Sequence, residues 1–216
     1  LHLLSRRQRQ MCIRDRLSPL LQKKEVFETF PVFSPDGRKL YFCTAEAKPI
    51  PAEYKEIRYS LCSIDFNPED GTFGEKIDTL VNAAAMKKSI SFPRPSYDGE
   101  YIMFTLSDYG NFSIWHKEAD LWLLDLKDGG MRPIKEVNSD DTESFHNWSS
   151  NSRWFVFSSR RGDGLYTRLY LASMDENGVV GKPFLLPQEN PWEYYDRLVY
   201  SCLLYTSPSP RDSTSS

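Results

Sequence analysis

Apolar positions fall in short runs separated by clusters of Asp, Asn, Gly and Pro, and one such arrangement occurs three times. Pro31-Val32-Phe33-Ser34-Pro35-Asp36-Gly37-Arg38-Lys39-Leu40-Tyr41-Phe42 is followed by Pro93-Arg94-Pro95-Ser96-Tyr97-Asp98-Gly99-Glu100-Tyr101-Ile102-Met103-Phe104. The third copy is Asn147-Trp148-Ser149-Ser150-Asn151-Ser152-Arg153-Trp154-Phe155-Val156-Phe157. An Asp-Gly or Asn-Ser pair between apolar runs predicts a hairpin, because Gly and Asn accept the positive φ of a tight turn. The turns therefore fall at Asp36-Gly37, Asp98-Gly99 and Asn151-Ser152. The runs after them, Leu40 to Phe42, Tyr101 to Phe104 and Trp154 to Phe157, are continuously aliphatic or aromatic, which predicts strands buried on both faces.

A third run follows each pair: Leu61-Cys62-Ser63-Ile64-Asp65, Leu121-Trp122-Leu123-Leu124-Asp125 and Leu169-Tyr170-Leu171-Ala172. Turn-rich stretches (Asp65 to Gly71, Asp125 to Gly130, Asp175 to Gly178) lead to predicted fourth strands near Ile77 to Val81, Arg132 to Val137 and Pro183 to Leu186. No long stretch carries the 3.6-residue period of an amphipathic helix, and only a turn is expected at Ala83 to Lys88. Four strands repeated at a drifting period define blades of a β-propeller. The fold class is all-β, a partial β-propeller of about three four-stranded blades near residues 26–82, 90–138 and 144–187. Three blades do not close a ring, so their outer faces are expected to be uncovered and to favour self-association.

The two ends lack this periodicity. Met11 to Asp15 and Cys202 to Asp212 match the translation of the two arms of a transposase sequencing adapter, and Arg6 to Gln10 extend the first. Residues 1–16 and 202–216 are therefore expected to lie outside the fold, with the propeller fragment at 17–201, and stable packing of Cys12 or Leu203 is not expected. Leaving the ends out changes the charge. Of 27 basic and 30 acidic side chains, 21 and 28 remain, a net of −7. An acidic segment is a poor nucleic-acid binder, and no run reaches the roughly 18 apolar residues of a membrane span. Cys43 and Cys62 alone support neither a disulfide framework nor a zinc site of cysteines; they sit in adjacent strands, where free buried thiols are the default and a disulfide the alternative.

No nucleophile elbow, phosphate-binding Gly loop or His-Glu-x-x-His pair is present, so catalytic residues, metal and cofactor are all expected to be absent from this segment. His116 and His146 adjoin strands and suit structural roles. His146 is the better site candidate, because it shares a link between blades with Asp140, Asp141 and Glu143, where an imidazole and carboxylates converging at the channel mouth would bind a cation or basic group. The preceding link carries Lys87, Lys88 and Arg94, so the mouth would have mixed charge, suited to a peptide or protein. The long loops Ala45 to Arg58 and Ser107 to Ala119 carry Tyr54, Tyr109, Phe112 and Trp115, aromatic candidates for partner contact, with packing over their own blade as the alternative. Asp65-x-Asn67-x-Glu69-Asp70-Gly71 imitates a calcium loop but has Asp70 and Lys76 where an EF-hand requires Gly and Glu. Arg161-Gly162-Asp163 spells an adhesion tripeptide but also reads as a turn.

The phrase Phe33-Ser34-Pro35-Asp36-Gly37-Arg38-Lys39-Leu40-Tyr41-Phe42 resembles the repeat of TolB-like propellers, and Ser96-Tyr97-Asp98-Gly99 and Ser149-Ser150-Asn151-Ser152 are degenerate copies. Thr105-Leu106-Ser107-Asp108-Tyr109-Gly110 and Phe157-Ser158-Ser159-Arg160-Arg161 resemble TolB-like envelope proteins of Bacteroides-type bacteria, often labelled cytochrome c biosynthesis proteins. The resemblance implies a six-bladed ring, a periplasmic or envelope location, and a non-catalytic binding or scaffolding module for a protein or peptide. Two alternatives follow from the same resemblance. One is a propeller gating a prolyl-oligopeptidase-type hydrolase whose catalytic domain lies elsewhere. The other is the propeller part of a haem-binding electron-transfer protein, although no Cys-x-x-Cys-His is present here to hold haem.

Overall fold

A computed structural model describes residues 25–110 and 112–195; the proposed adapter ends, with Cys12 and Leu203, lie outside them. Twelve strands form three four-stranded antiparallel sheets, β1 (Val26–Phe33), β2 (Lys39–Glu46), β3 (Ser60–Asn67) and β4 (Thr72–Val81) making the first. β5 (Ser89–Pro95), β6 (Tyr101–Ser107), β7 (Asp120–Asp125) and β8 (Met131–Pro133) make the second. β9 (Glu143–Trp148), β10 (Trp154–Ser159), β11 (Arg168–Ser173) and β12 (Phe184–Leu185) make the third. In each sheet neighbours in sequence are neighbours in space, which is the meander of a propeller blade. Among the described residues the only α-helix is α1 (Pro191–Tyr195), and no helix is long and apolar enough to cross a membrane. The described residues divide into two compact units, 25–93 with 108–110 and 94–107 with 112–195.

The Ser-x-Asp-Gly phrase folds as a closed hydrogen-bond circuit. In the first unit Ser34 Oγ donates to Asp36 Oδ1 (2.6 Å) and accepts from the Lys39 N–H (2.9 Å), while Asp36 Oδ1 also accepts from the Arg38 N–H (3.0 Å). Gly37 takes φ +70°, where a side chain would be strained. In the second unit Ser96 and Asp98 repeat the circuit, and Ser149 with Asn151 repeats it again at 2.7 Å and 3.0 Å. Asn serves as well as Asp because the circuit needs an acceptor oxygen, not a charge. The third turn puts positive φ on Ser152 (+56°), and the buried Ser152 hydroxyl accepts a hydrogen bond from the Asp98 N–H at 3.0 Å.

In the first unit, Leu40, Phe42, Cys62 and Ile64 form a core backed by Phe73 and Ile77. Cys62 stands opposite Phe42, and Cys43 opposite Leu61. Since successive strand residues point to opposite faces, this one-residue offset sends the two thiols to opposite sides of the sheet. They are free and buried, and no disulfide forms. Burial pushes both thiols above the ordinary cysteine range. The calcium-like loop is the β3–β4 turn: Asp70 accepts from the Thr72 N–H and hydroxyl and from Asn67, and Asp65 pairs with Lys39.

The second unit holds the larger core. Met103, Leu121, Leu123, Ile134 and Val137 pack with Trp148, Phe155, Phe157, Ala172, Met174 and Val180, so the strands of the second and third sheets bury a shared apolar layer. Each fully buried Phe there contributes about 1.5–3 kcal/mol. Continuous burial holds for Leu40 to Phe42 and from Ile102 to Ser107, but Tyr101 is half-buried, and in β10 Trp154 is 42% exposed and edge-on to Phe184 while Val156 is half-buried. Trp154 follows the hairpin turn directly and lies at the end of the packed stretch. The fourth strand of the second sheet is also shorter than expected, ending at Pro133 instead of reaching Val137. Proline has no N–H for the ladder, and the chain then turns through Ile134 to Asn138.

Candidate functional site

The link that precedes β9 does not assemble the cation site expected from its composition. Glu143 is 0% exposed and its carboxylate is saturated by the protein. Oε2 accepts from the Ser139 N–H (2.9 Å), while Oε1 accepts from Ser139 Oγ (2.6 Å), Ser159 Oγ (2.7 Å) and Arg161 Nη2 (3.1 Å). Arg161 also donates to the Val137 carbonyl and lies over the rings of Phe157 and Tyr170, at 5.2 and 4.6 Å. Burial of Tyr170 raises its phenol above the ordinary range. His146, 2% exposed, donates from Nε2 to the Met103 carbonyl at 2.9 Å. Asp141 Oδ1 accepts from the Thr142 N–H at 2.8 Å, and Asp140 is exposed. Both Glu143 and His146 thus turn into packed protein, and no group of three His, Cys, Asp or Glu side chains among the described residues is arranged to hold a metal.

The basic candidates also separate. Lys87 is exposed, at φ +58° in the turn after β4, and Lys88 pairs with Asp108 at 2.6 Å. Arg94 is half-buried, and its carbonyl accepts the Trp148 indole N–H at 3.0 Å. His116 is buried and bonds Glu118 at 2.9 Å.

The aromatic candidates divide into two pairs. Tyr54, in a 3₁₀ turn (Tyr54–Glu56), meets Tyr109 edge to face with centroids 5.7 Å apart, and Lys55 lies near both rings. This pair has mutual packing. Phe112 and Trp115 are different: their residues are 72% and 73% exposed. A second 3₁₀ turn (Ser113–Trp115) presents them, and it is anchored from below. Thr142 Oγ1 donates to the Ser113 carbonyl (2.9 Å), and the Glu143 N–H donates to the Ala119 carbonyl (2.8 Å). The Thr142 hydroxyl and the Glu143 backbone therefore brace the loop that displays Trp115.

Across from Trp115, the β10–β11 loop places the Arg160 guanidinium 4.9 Å from the indole centroid. The same loop carries exposed Leu165 and Tyr166. The adhesion-like tripeptide in it is a turn: Arg161 is committed to Glu143, and Asp163 accepts from Arg168 (2.9 Å) and from the Tyr166 and Leu165 N–H groups. Those backbone donors, Tyr166 first, hold the Asp163 carboxyl below its usual range. Sequence reasoning passed over Arg160, because nothing local distinguishes it from Arg161.

A second feature was also passed over. Phe30, Phe92 and Phe145 adopt φ of +54°, +53° and +47°, rare for bulky residues, and each stands four residues before the turn serine of its blade. Phe30 sits between the register-shifted pairs of β1, and Phe145 lies across the irregular pairing of β9. Within the first unit the Phe30 and Phe92 rings are 4.4 Å apart. The signal was visible as a Phe at one fixed offset in all three copies.

No family model matches the chain, and no curated protein does. Among solved structures it is similar to a puromycin-hydrolysing peptidase of Mycobacterium tuberculosis, with 16% identity and a TM-score of 0.52 over 76% of this chain and 24% of that one. It is similar to an oligogalacturonate lyase in complex with manganese at 14% identity and a TM-score of 0.52, over 76% of this chain and 43% of that one. TolB from Acinetobacter baumannii is also among the similar structures, at 17% identity and a TM-score of 0.42, over 76% of this chain and 33% of that one. The chain thus spans less than half the length of each. What is shared is the fold, that of propeller blades, as the three repeated meanders show independently.

Proposed function

We propose that the chain is a non-catalytic binding or scaffolding module of a bacterial envelope protein, with blades that hold loops against a protein or peptide partner. The observation that carries this reading is the β6–β7 loop, which is pinned by hydrogen bonds at its base and leaves Phe112 and Trp115 almost three-quarters exposed at its tip. Large exposed aromatics on a fixed backbone are the residues that dominate binding energy at interfaces. The test is selection of phage-displayed random nonapeptides on the full chain. Wild type should enrich related peptides, and Phe112→Ala with Trp115→Ala should lose them while keeping the native circular dichroism. Equal enrichment by the double variant overturns the reading.

A second reading is supported by the likeness to the M. tuberculosis peptidase: the blades would gate a hydrolase domain carried elsewhere in a longer protein. A nucleophile elbow in the adjoining gene would favour it, and the binding loops would then face substrate peptides.

A further inference from the structure

Three arginines occupy or border the β10–β11 loop, and their partners differ. Arg161 is neutralised by buried Glu143, and Arg168 pairs with Asp163 at 2.9 Å. Arg160 makes no ion pair among the described residues. Its Nε is buried without a hydrogen-bond partner there, and its guanidinium is held instead by the face of Trp115. The result is a cation with no anion, laid on an aromatic ring, with exposed Phe112 in the loop of Trp115 and exposed Leu165 and Tyr166 in the loop of Arg160.

This combination restricts what fits. A basic segment would meet Arg160 with like charge, and a purely apolar one would desolvate the guanidinium without pairing it. A carboxylate is the complementary group, because its two oxygens match the planar fork of a guanidinium already oriented by stacking. We infer that Trp115 and Arg160 form the recognition platform for an acidic peptide segment, in which an Asp or Glu pairs with Arg160 and an adjacent aromatic or aliphatic side chain lies against Trp115 and Phe112. The inference rests on the binding reading above and specifies its partner chemistry.

The nonapeptide selection tests it when the selected sequences are read out. Asp or Glu next to an aromatic or aliphatic residue should dominate, and a synthetic copy of the leading peptide should lose about 10-fold in affinity when its acid is replaced by the amide. Arg160→Gln should remove the preference for acid over amide while apolar selection persists, Arg160→Lys should keep part of it, and Trp115→Ala should abolish binding. Peptides without acidic enrichment, or an acid preference unchanged in Arg160→Gln, overturn the inference and leave the binding reading standing. No selected peptides at all overturns both. Concentration-dependent self-association that disappears in Trp115→Ala, or binding of Arg160 to vesicles of anionic lipid with no peptide selected, assigns the platform to another occupant and also overturns it.

Discussion

Removing the Glu143 carboxylate should be among the most damaging single changes in the second unit. Glu143→Ala leaves the Arg161 charge, the Ser139 N–H and the hydroxyls of Ser139 and Ser159 without the acceptor they share. Deleting one member of a buried pair costs about 3–5 kcal/mol, against a total stability of about 5–15 kcal/mol for a domain. Arg161→Met should cost a similar amount, about 3–5 kcal/mol, because it strands the fully buried Glu143 carboxylate without its counter-charge, even though methionine retains packing over Phe157 and Tyr170 and Glu143 keeps three of its four hydrogen bonds. In the double variant the Arg161 charge is gone, so the two costs should fall short of additivity by about 1–2 kcal/mol. Urea titration of the full chain followed by circular dichroism reads these differences as shifts in midpoint at unchanged slope. A Glu143→Ala cost below about 1 kcal/mol, or strict additivity, would refute the account of the carboxylate as the brace of this unit.

Two further outcomes follow from the turn circuits. Ser152→Gly removes the left-handed strain but also the acceptor for the Asp98 N–H, whereas Ser152→Ala removes the acceptor and keeps the strain; stability should fall in the order wild type, Gly, Ala, with about 1 kcal/mol between the two variants, and a Gly variant clearly more stable than wild type would contradict it. Asp36 accepts from Ser34 and from the Arg38 N–H, which hold its carboxyl below the ordinary value of 3.8. A carboxyl lowered on folding adds stability that is complete above that ordinary value and is lost as pH falls through the folded one. Asp36→Asn, which copies the Asn151 circuit, should therefore lose less stability than wild type between pH 5 and pH 2, roughly the range in which a lowered carboxyl titrates, as read by acid unfolding; identical acid profiles would count against the mechanism.

The parts of the fold that were legible in the sequence are those set by neighbouring residues. Ser-x-Asp-Gly closes its circuit within six residues, so the hairpins could be read directly at Asp36, Asp98 and Asn151. The unbroken apolar run Ile102 to Phe104 likewise announced a strand packed on both sides. What escaped depends on register or on distant partners. The faces of Cys43 and Cys62 hang on a one-residue offset between β2 and β3 that no local pattern encodes. Glu143 and His146 read as a cation-binding link at the channel mouth because their partners, Ser159, Arg161 and the Met103 carbonyl, come from other strands and loops. The aromatic loops were legible as loops, but the different fates of Tyr109, packed on Tyr54, and Trp115, left exposed, were not.

That difference is also an energetic one. Tyr54 and Tyr109 meet edge to face, and Tyr54 is 47% exposed against 73% for Trp115, so a partner gains less by covering that pair. Trp115 is oriented by its loop and by Arg160 while most of its surface remains in water, so the ordering cost of a recognition residue has been met before any partner arrives. Covering one large aromatic releases about 1.5–3 kcal/mol, and pairing a pre-oriented guanidinium adds a charge-assisted bond of similar size. Those two terms together are several times the coupling expected of an exposed ion pair alone, about 0.2–1 kcal/mol. The free energy available at this surface is therefore concentrated at Trp115 and Arg160, and the bonds from the Thr142 hydroxyl and the Glu143 backbone to the Trp115 loop limit how much of it goes into rearranging that loop.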